Sequence, residues 1–308
     1  MPKEFIRISN DELCFTNVSD YSCVESEVYG WQITYDRQTS EPDSETPIYF
    51  ILDTMNHAAF CHWVYENAIW IPEFQKLREK YPSCKLVLEE YRQYKKLFLD
   101  FYGISMDCVC LHKDIQPENV CFFHSYSSLN DLYIPSVYYE KIQEFEKKIE
   151  CIHPTESIPL LYLPRGVKEN LQGANNRSYN IQEDLKEFVK NLGGTVYETD
   201  TTVSLIDQIR LVKSAHTIIL DYGSNLWVNG FFSRNSQIVC MNNGWNHHNQ
   251  FPSLRHIWEK IHRTSNVTLI YAHSSEKIAD STVPVVCFHI PTVIHTLLSV
   301  LNISRNRN

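Results

Sequence analysis

The sequence predicts an α/β protein with a parallel sheet in each of two halves, and three observations lead there. The chain has 308 residues, more than one hydrophobic core ordinarily serves, so two domains are expected. From Ile48 onward, short apolar runs alternate with amphipathic stretches, the pattern of β-α-β units. Hydrophobic residues make up 43% and charged residues 21%, a composition that supports packed cores rather than disorder.

Residues 1–46 read as polar and irregular, closing in an exposed loop over 39–45. Regular structure starts with a strand over 48–52, an apolar run of the length of a buried strand. A helix is expected over 57–81, with Pro72 restarting it at a first-turn position where a missing N–H breaks no intrahelical bond. A strand over 85–88, a helix over 91–102 capped by Gly103, strands over 108–111 and 120–123, and a helix over 138–151 complete this half. The second half begins at residue 155. Its strands are expected over 160–163, 195–197, 217–220, 237–240, 268–271 and 285–288, with helices over 181–192, 205–215, 254–262 and 291–301. Such sheets bind ligands beyond the carboxyl ends of their strands, which directs attention to the residues just after each strand.

Composition excludes several classes. The formal charge is −9 and no long basic run precedes Arg305-Asn306-Arg307, so no stripe exists to neutralise nucleic-acid phosphates. No apolar run approaches the roughly 18 residues of a membrane span. The start, Met1-Pro2-Lys3-Glu4, lacks a signal-peptide core, which predicts a cytoplasmic chain. The 10 cysteines include no C-x-x-C pair, so buried free thiols are expected rather than a structural zinc site. The absence of G-x-G-x-x-G after any strand argues against a dinucleotide enzyme.

Three segments carry candidate chemistry. After the strand ending at Leu220 comes Asp221-Tyr222-Gly223-Ser224-Asn225-Leu226-Trp227. A strand, a small-residue turn and a helix N-terminus together offer free backbone N–H groups to an anion. An ordinary capped turn looks the same. After the strand ending at Leu163 stand Pro164 and Arg165, with Arg177 further on; arginine suits a diphosphate because its planar fork bonds two oxygens at once. The third segment runs from Asn56 to Glu66. His62 and Glu66 share a helical face, and either is able to take a proton from an attacking hydroxyl. The alternative is a surface pair that only stabilises the helix.

In this order the three segments resemble glycosyltransferase family 61 (the DUF563 group). Asn56 with Phe60-Cys61-His62-Trp63, and Glu66 one turn on, matches the family's Asn-x-x-His-Trp-like element. Tyr162-Leu163-Pro164-Arg165 matches its strand ending in arginine, and Arg177-Ser178-Tyr179-Asn180 its Arg-x-x-Asn-like element. Gln208 and Ala215 fall on its helix with Gln and Ala; Tyr222-Gly223-Ser224-Asn225-Leu226 falls on its His-Gly-Ala-Gly-Leu-like turn, followed by Asn229. The likeness covers roughly residues 48–300, thinly between 105 and 155. It departs from the family at Tyr222, which stands for His, and at Cys240-Met241-Asn242-Asn243, where an acid is usual.

The resemblance implies a GT-B architecture, two Rossmann-like domains with parallel sheets facing a central cleft. Residues 1–154 then form the acceptor side and residues 155–308 bind the nucleotide-sugar. It implies an inverting glycosyltransferase that uses a nucleotide-sugar, of the UDP type, as co-substrate and a hydroxyl of a glycan or glycoprotein as acceptor, without a tightly held metal or other cofactor. Glu66, ahead of His62, becomes the expected base. Arg165, Arg177 and the turn Tyr222, Gly223, Ser224 and Asn225 face the diphosphate, with Asn56 and Trp245 also in contact with substrate. The departures motivate an alternative, a non-catalytic carbohydrate- or nucleotide-binding module on the same scaffold.

Overall fold

The computed structural model describes residues 14–17, 21–26, 30–35, 48–53, 60–115, 120–123, 136–164, 178–198, 203–242, 252–276 and 285–305. The chain separates into two compact units, Met1–Glu150 and Cys151–Asn308.

The first unit departs from expectation at its start. β1 (Cys14–Asn17), β2 (Tyr21–Ser26) and β3 (Gly30–Tyr35) fall in the stretch read as irregular. β2 and β3 pair antiparallel, and β1 pairs antiparallel with a strand of the main sheet. The alternation of Trp31, Ile33 and Tyr35 with Gln32 and Thr34 is a strand signature that the polar average of the region obscures.

The main sheet adds β4 (Ile48–Ile51), β5 (Lys85–Leu88), β6 (Val109–Leu111) and β7 (Val120–Phe123). Its order is β1-β7-β4-β5-β6, and β4 to β7 run parallel. Counted along the chain, the parallel strands lie in the order 3-2-1-4, as in the first part of a Rossmann sheet. The chain steps outward from β4 to β5 and β6, then returns to β7 on the other side of β4. The switch point therefore lies between β4 and β7.

Residues 60–80 form one interrupted helical stretch: α1 (Phe60–His62), a π turn (Trp63–Asn67), a 3-10 turn (Ala68–Trp70) and α2 (Ile71–Lys80), with Pro72 in the first turn of α2. α3 (Gln93–Phe101) follows β5 and is terminated by Gly103, whose φ of 71° suits glycine at a helix end. α4 (Ser136–Glu150) buries Tyr138, Ile142, Phe145 and Ile149, a helical stripe. Trp63, Phe98 and Phe145 form an aromatic chain in this core, with centroids 5.7 and 6.2 Å apart.

The second unit is the more regular. Its sheet contains β8 (Ile158–Leu163), while β9 (Ser178–Tyr179) lies outside it. Next come α5 (Gln182–Asn191), β10 (Thr195–Val196), α6 (Leu205–Ser214), β11 (Ala215–Asp221), β12 (Gln237–Asn242), α7 (Pro252–Thr264) and β13 (Asn266–Tyr271). β14 (Ser274–Glu276), β15 (Val285–Cys287) and α8 (Ile290–Arg305) complete it. The five-stranded sheet has the order β10-β8-β11-β12-β13 and is parallel throughout. Along the chain this is 2-1-3-4-5, the second common doubly wound order, with its switch point between β8 and β11.

β9 and β14, both too short to show a period, flank β15 in a small separate sheet. Asn180 fastens that sheet: its Nδ2 donates to the Phe288 carbonyl at 3.2 Å and its Oδ1 accepts from the Phe288 N–H at 2.9 Å. One core joins Tyr162, Ile219, Val239 and Met241 of the sheet to Leu185 and Val189 of α5 and Val293 and Leu297 of α8. Among the described residues no helix is long and apolar enough to cross a membrane.

Candidate functional site

In the first unit, the strand at the switch point runs into Ile51-Leu52-Asp53. Asp53 is buried, and its carboxylate joins four parts of the unit. Oδ1 accepts from Trp63 Nε1 at 2.6 Å; Oδ2 accepts from the Glu89 N–H at 2.8 Å and from Lys95 Nζ at 2.6 Å. Lys95 of α3 has no exposed surface, and its Nζ also donates to the Glu90 carbonyl at 3.0 Å. Burial holds the Lys95 ammonium below its usual pKa, against the pull of Asp53.

Trp63 is thus held at both ends, its indole N–H on Asp53 and its ring 5.7 Å from Tyr94 and from Phe98. Its chain neighbour His62 pairs through Nδ1 with Glu66 Oε1 at 2.7 Å. The Glu66 side chain is 1% exposed and that of His62 12%. The carboxylate is the more deeply buried of the two. The two residues that the sequence offered as alternative bases are thus in direct contact. Glu66 also lies within the π turn, a rare local geometry found often at functional sites.

The second unit repeats several of these features. β11 ends in Ile219-Leu220-Asp221, the same tripeptide into which β4 runs in the other unit. Asp221 is buried at the switch point, and its charge adds to burial in raising the Tyr162 phenol and the Cys240 thiol. Past it, the Tyr222 N–H continues the ladder to the Met241 carbonyl at 2.9 Å, and Gly223 takes a φ of 126°. That backbone angle favours glycine and turns the chain from strand into helix within two residues. Residues 224–232 are helical, with a π turn at Leu226–Gly230. Each π turn contains a buried Trp-Val pair, Trp63-Val64 in one and Trp227-Val228 in the other.

The polar groups of this turn are partly committed to the fold. Asn225 Nδ2 donates to the Leu163 carbonyl at 2.7 Å, tying the turn across the switch point to the end of β8. Asn225 Oδ1 accepts from Asn229 Nδ2 at 2.6 Å inside the π turn. Tyr222 is 1% exposed and packs edge-on against Trp227, centroids 5.7 Å apart. The asparagine side chain thus fixes the position of the turn, and Tyr222 supports it from beneath. Gly223, Ser224 and Asn225 are the partly exposed residues of the turn. Gln208, another family-like position, donates to the Val203 carbonyl just ahead of its helix at 3.0 Å.

Asn56, Arg165, Arg177 and Trp245 lie outside the described residues. Cys61, Cys84, Cys108, Cys110, Cys151, Cys240 and Cys287 are free thiols; Cys61, Cys84, Cys108 and Cys240 are buried and Cys151 is exposed. Among the described residues no group of three or more His, Cys, Asp or Glu side chains is arranged to hold a metal ion. Sequence reasoning missed Asp53, Lys95 and Asp221. A strand-length apolar run ending in Asp was the available signal for the two aspartates. Nothing local marks Lys95 as the partner of a residue 42 positions away.

Taken separately, both units are α/β sheets of Rossmann-like order, each with a buried aspartate and a π turn next to its switch point. No protein-family model matches the chain, and no curated protein matches it. The likeness to glycosyltransferase family 61 therefore rests on the residues quoted for it.

Proposed function

We propose that the chain is an inverting glycosyltransferase that moves a sugar from a nucleotide-sugar, of the UDP type, to a hydroxyl of a glycan or glycoprotein. The observation that carries this reading is the coincidence, in each unit, of a sequence-flagged segment with the switch point of a parallel sheet. His62 and Glu66 lie on the helix that leaves β4, and Tyr222 to Asn225 leave β11. Parallel sheets take ligands at this kind of position. In this reading the units are the halves of a GT-B enzyme, the first binding the acceptor and the second the donor.

The chemistry follows from the side chains. The acceptor hydroxyl gives its proton to His62 Nε2 while its oxygen attacks the anomeric carbon from the face opposite the leaving group. Glu66 holds the imidazole in the required tautomer and stabilises the cation that forms. The bond to the diphosphate breaks in the same step, and negative charge develops on that diphosphate. The backbone N–H groups of the turn at Gly223 and Ser224 meet it, with Arg165, two positions past the end of β8, and Arg177 as counter-charges.

The test is release of UDP from a panel of UDP-sugars by the full chain, with and without simple glycosides as acceptors, beside thermal shifts with UDP. Absence of both a shift and release would remove the proposal. A second reading, a non-catalytic nucleotide-binding module, draws on the complete burial of Asn242 and the near-complete burial of Tyr222, where the resembled family carries an acid and a histidine. It predicts a thermal shift with no UDP released.

A further inference from the structure

The ion pair of Asp53 and Lys95 lies where neither charge meets solvent, their side chains 1% and 0% exposed. Together they join four parts of the first unit. The Asp53 carboxylate takes the Trp63 indole N–H, the Glu89 backbone N–H and the Lys95 ammonium, and Lys95 adds the Glu90 carbonyl. Lys95 Nζ also lies 5.8 Å from the centroid of the Trp63 ring, within cation–π range. The pair therefore grips Trp63 twice, through its N–H and through its ring.

Trp63 also closes the π turn. Its carbonyl accepts from the Ala68 N–H, five residues on, which is the bond that defines such a turn. Glu66 lies inside the turn and His62 immediately before it, so Trp63 stands in the chain between the two members of the 2.7 Å His62–Glu66 contact. Stability is a poor reason for a charged pair at this place. A buried ion pair gives up its hydration, and apolar side chains of similar volume often serve a core as well or better. An apolar pair is unable, however, to accept an indole N–H at 2.6 Å and a backbone N–H at 2.8 Å on one group. The carboxylate supplies direction that packing alone does not.

We propose that Asp53, charge-balanced by Lys95, is a positioning residue: through Trp63 it holds the π turn in the form that sets Glu66 against His62. Its part in catalysis rests on the reading of His62 and Glu66 as the proton-transfer pair of a transferase. Among the described residues Asp53 bonds to neither of them, so it acts on the pair through Trp63 alone. Two variants break this link from opposite sides. Asp53→Leu combined with Lys95→Met replaces the ion pair by apolar groups of similar volume. Trp63→Phe keeps both charges and an aromatic ring and removes only the indole N–H. A third variant, Phe145→Leu, loosens the same aromatic core one ring further from Trp63.

The readout is NMR of the full chain carrying 15N-labelled histidine. The ring signals of His62, assigned through His62→Asn, report its tautomer, which the partner at Nδ1 sets. Both link-breaking variants are expected to move these signals toward their positions in Glu66→Ala, where the partner is gone, and Phe145→Leu to leave them in place. Sugar transfer by the same two variants is expected to fall about 10- to 100-fold in kcat, with the KM for the nucleotide-sugar unchanged. His62 signals that keep their wild-type positions in either folded variant overturn the positioning role, as does an equal movement in Phe145→Leu. If the Asp53→Leu, Lys95→Met chain does not fold, Trp63→Phe decides alone. Moved signals in a chain whose wild type releases no UDP from any UDP-sugar remove the transferase reading and leave the positioning of the pair standing.

Discussion

In the proposed mechanism Glu66 and His62 divide the work of one pair by depth. A carboxylate with 1% of its side chain exposed is poorly placed to touch a substrate, yet well placed to orient the ring in front of it. His62→Asn should lower the rate of sugar transfer by about 10²–10⁴ while leaving UDP affinity unchanged, as expected when a general base is removed. Glu66→Gln should act in the same direction with a smaller loss, and single-turnover transfer with UDP binding measured in parallel ranks the two. The reverse ranking makes Glu66 the base. Asp53 and Lys95 offer a different test, because both are buried. Lys95→Met strands a carboxylate in the core and should cost about 3–5 kcal/mol in urea unfolding. Adding Asp53→Asn should recover part of that loss by removing the stranded charge.

At the level of elements, the sequence expectations were most reliable where a periodic run was long and its ends were marked. α6 begins after Ser204, whose Oγ accepts from the Asp207 N–H at 3.1 Å and donates to the Asp207 carboxylate at 2.7 Å. Ser204→Ala should lose about 1 kcal/mol of unfolding free energy, the usual worth of such a cap, with nucleotide binding intact. The strands over 85–88 and 120–123 are observed where expected, because both are apolar runs with turn residues beside them. The π turns were not legible. A π turn is an extra residue accommodated within a helix, and its position depends on which side chains must reach the core. Trp63 meets Asp53 and Asn225 meets Leu163; both partners lie outside the helical stretch.

For the molecule as a whole, two parallel sheets mean two carboxyl edges, and the functional reading assigns the nucleotide to one of them. Hydrogen exchange on the full chain, with and without UDP, should show protection after β8 and β11, at residues 163–166 and 221–228, and little change at residues 85–115. Protection confined to the first unit would reverse the assignment of donor and acceptor sides. The measurement does not depend on finding the sugar, since UDP carries the diphosphate that the turn and the arginines are proposed to hold.

The α/β class, the division into halves and most strand positions could be read from the order of residues, because burial imposes a short-range period that survives in the linear string. The turn at Gly223 was legible for the same reason: a small-residue break between an apolar strand and an apolar helix is a local pattern. Strand order was not legible, since pairing β4 with β7, and β8 with β11, depends on crossovers that join distant segments. Nor was the assignment of polar side chains. The side chain of Asn225, in a turn expected to face a diphosphate, bonds the Leu163 carbonyl, while Lys95, to which the sequence reading gave no role, is buried on Asp53. Residue type limits the bonds a group is able to make; the partner brought within 3 Å by packing determines which of them it makes.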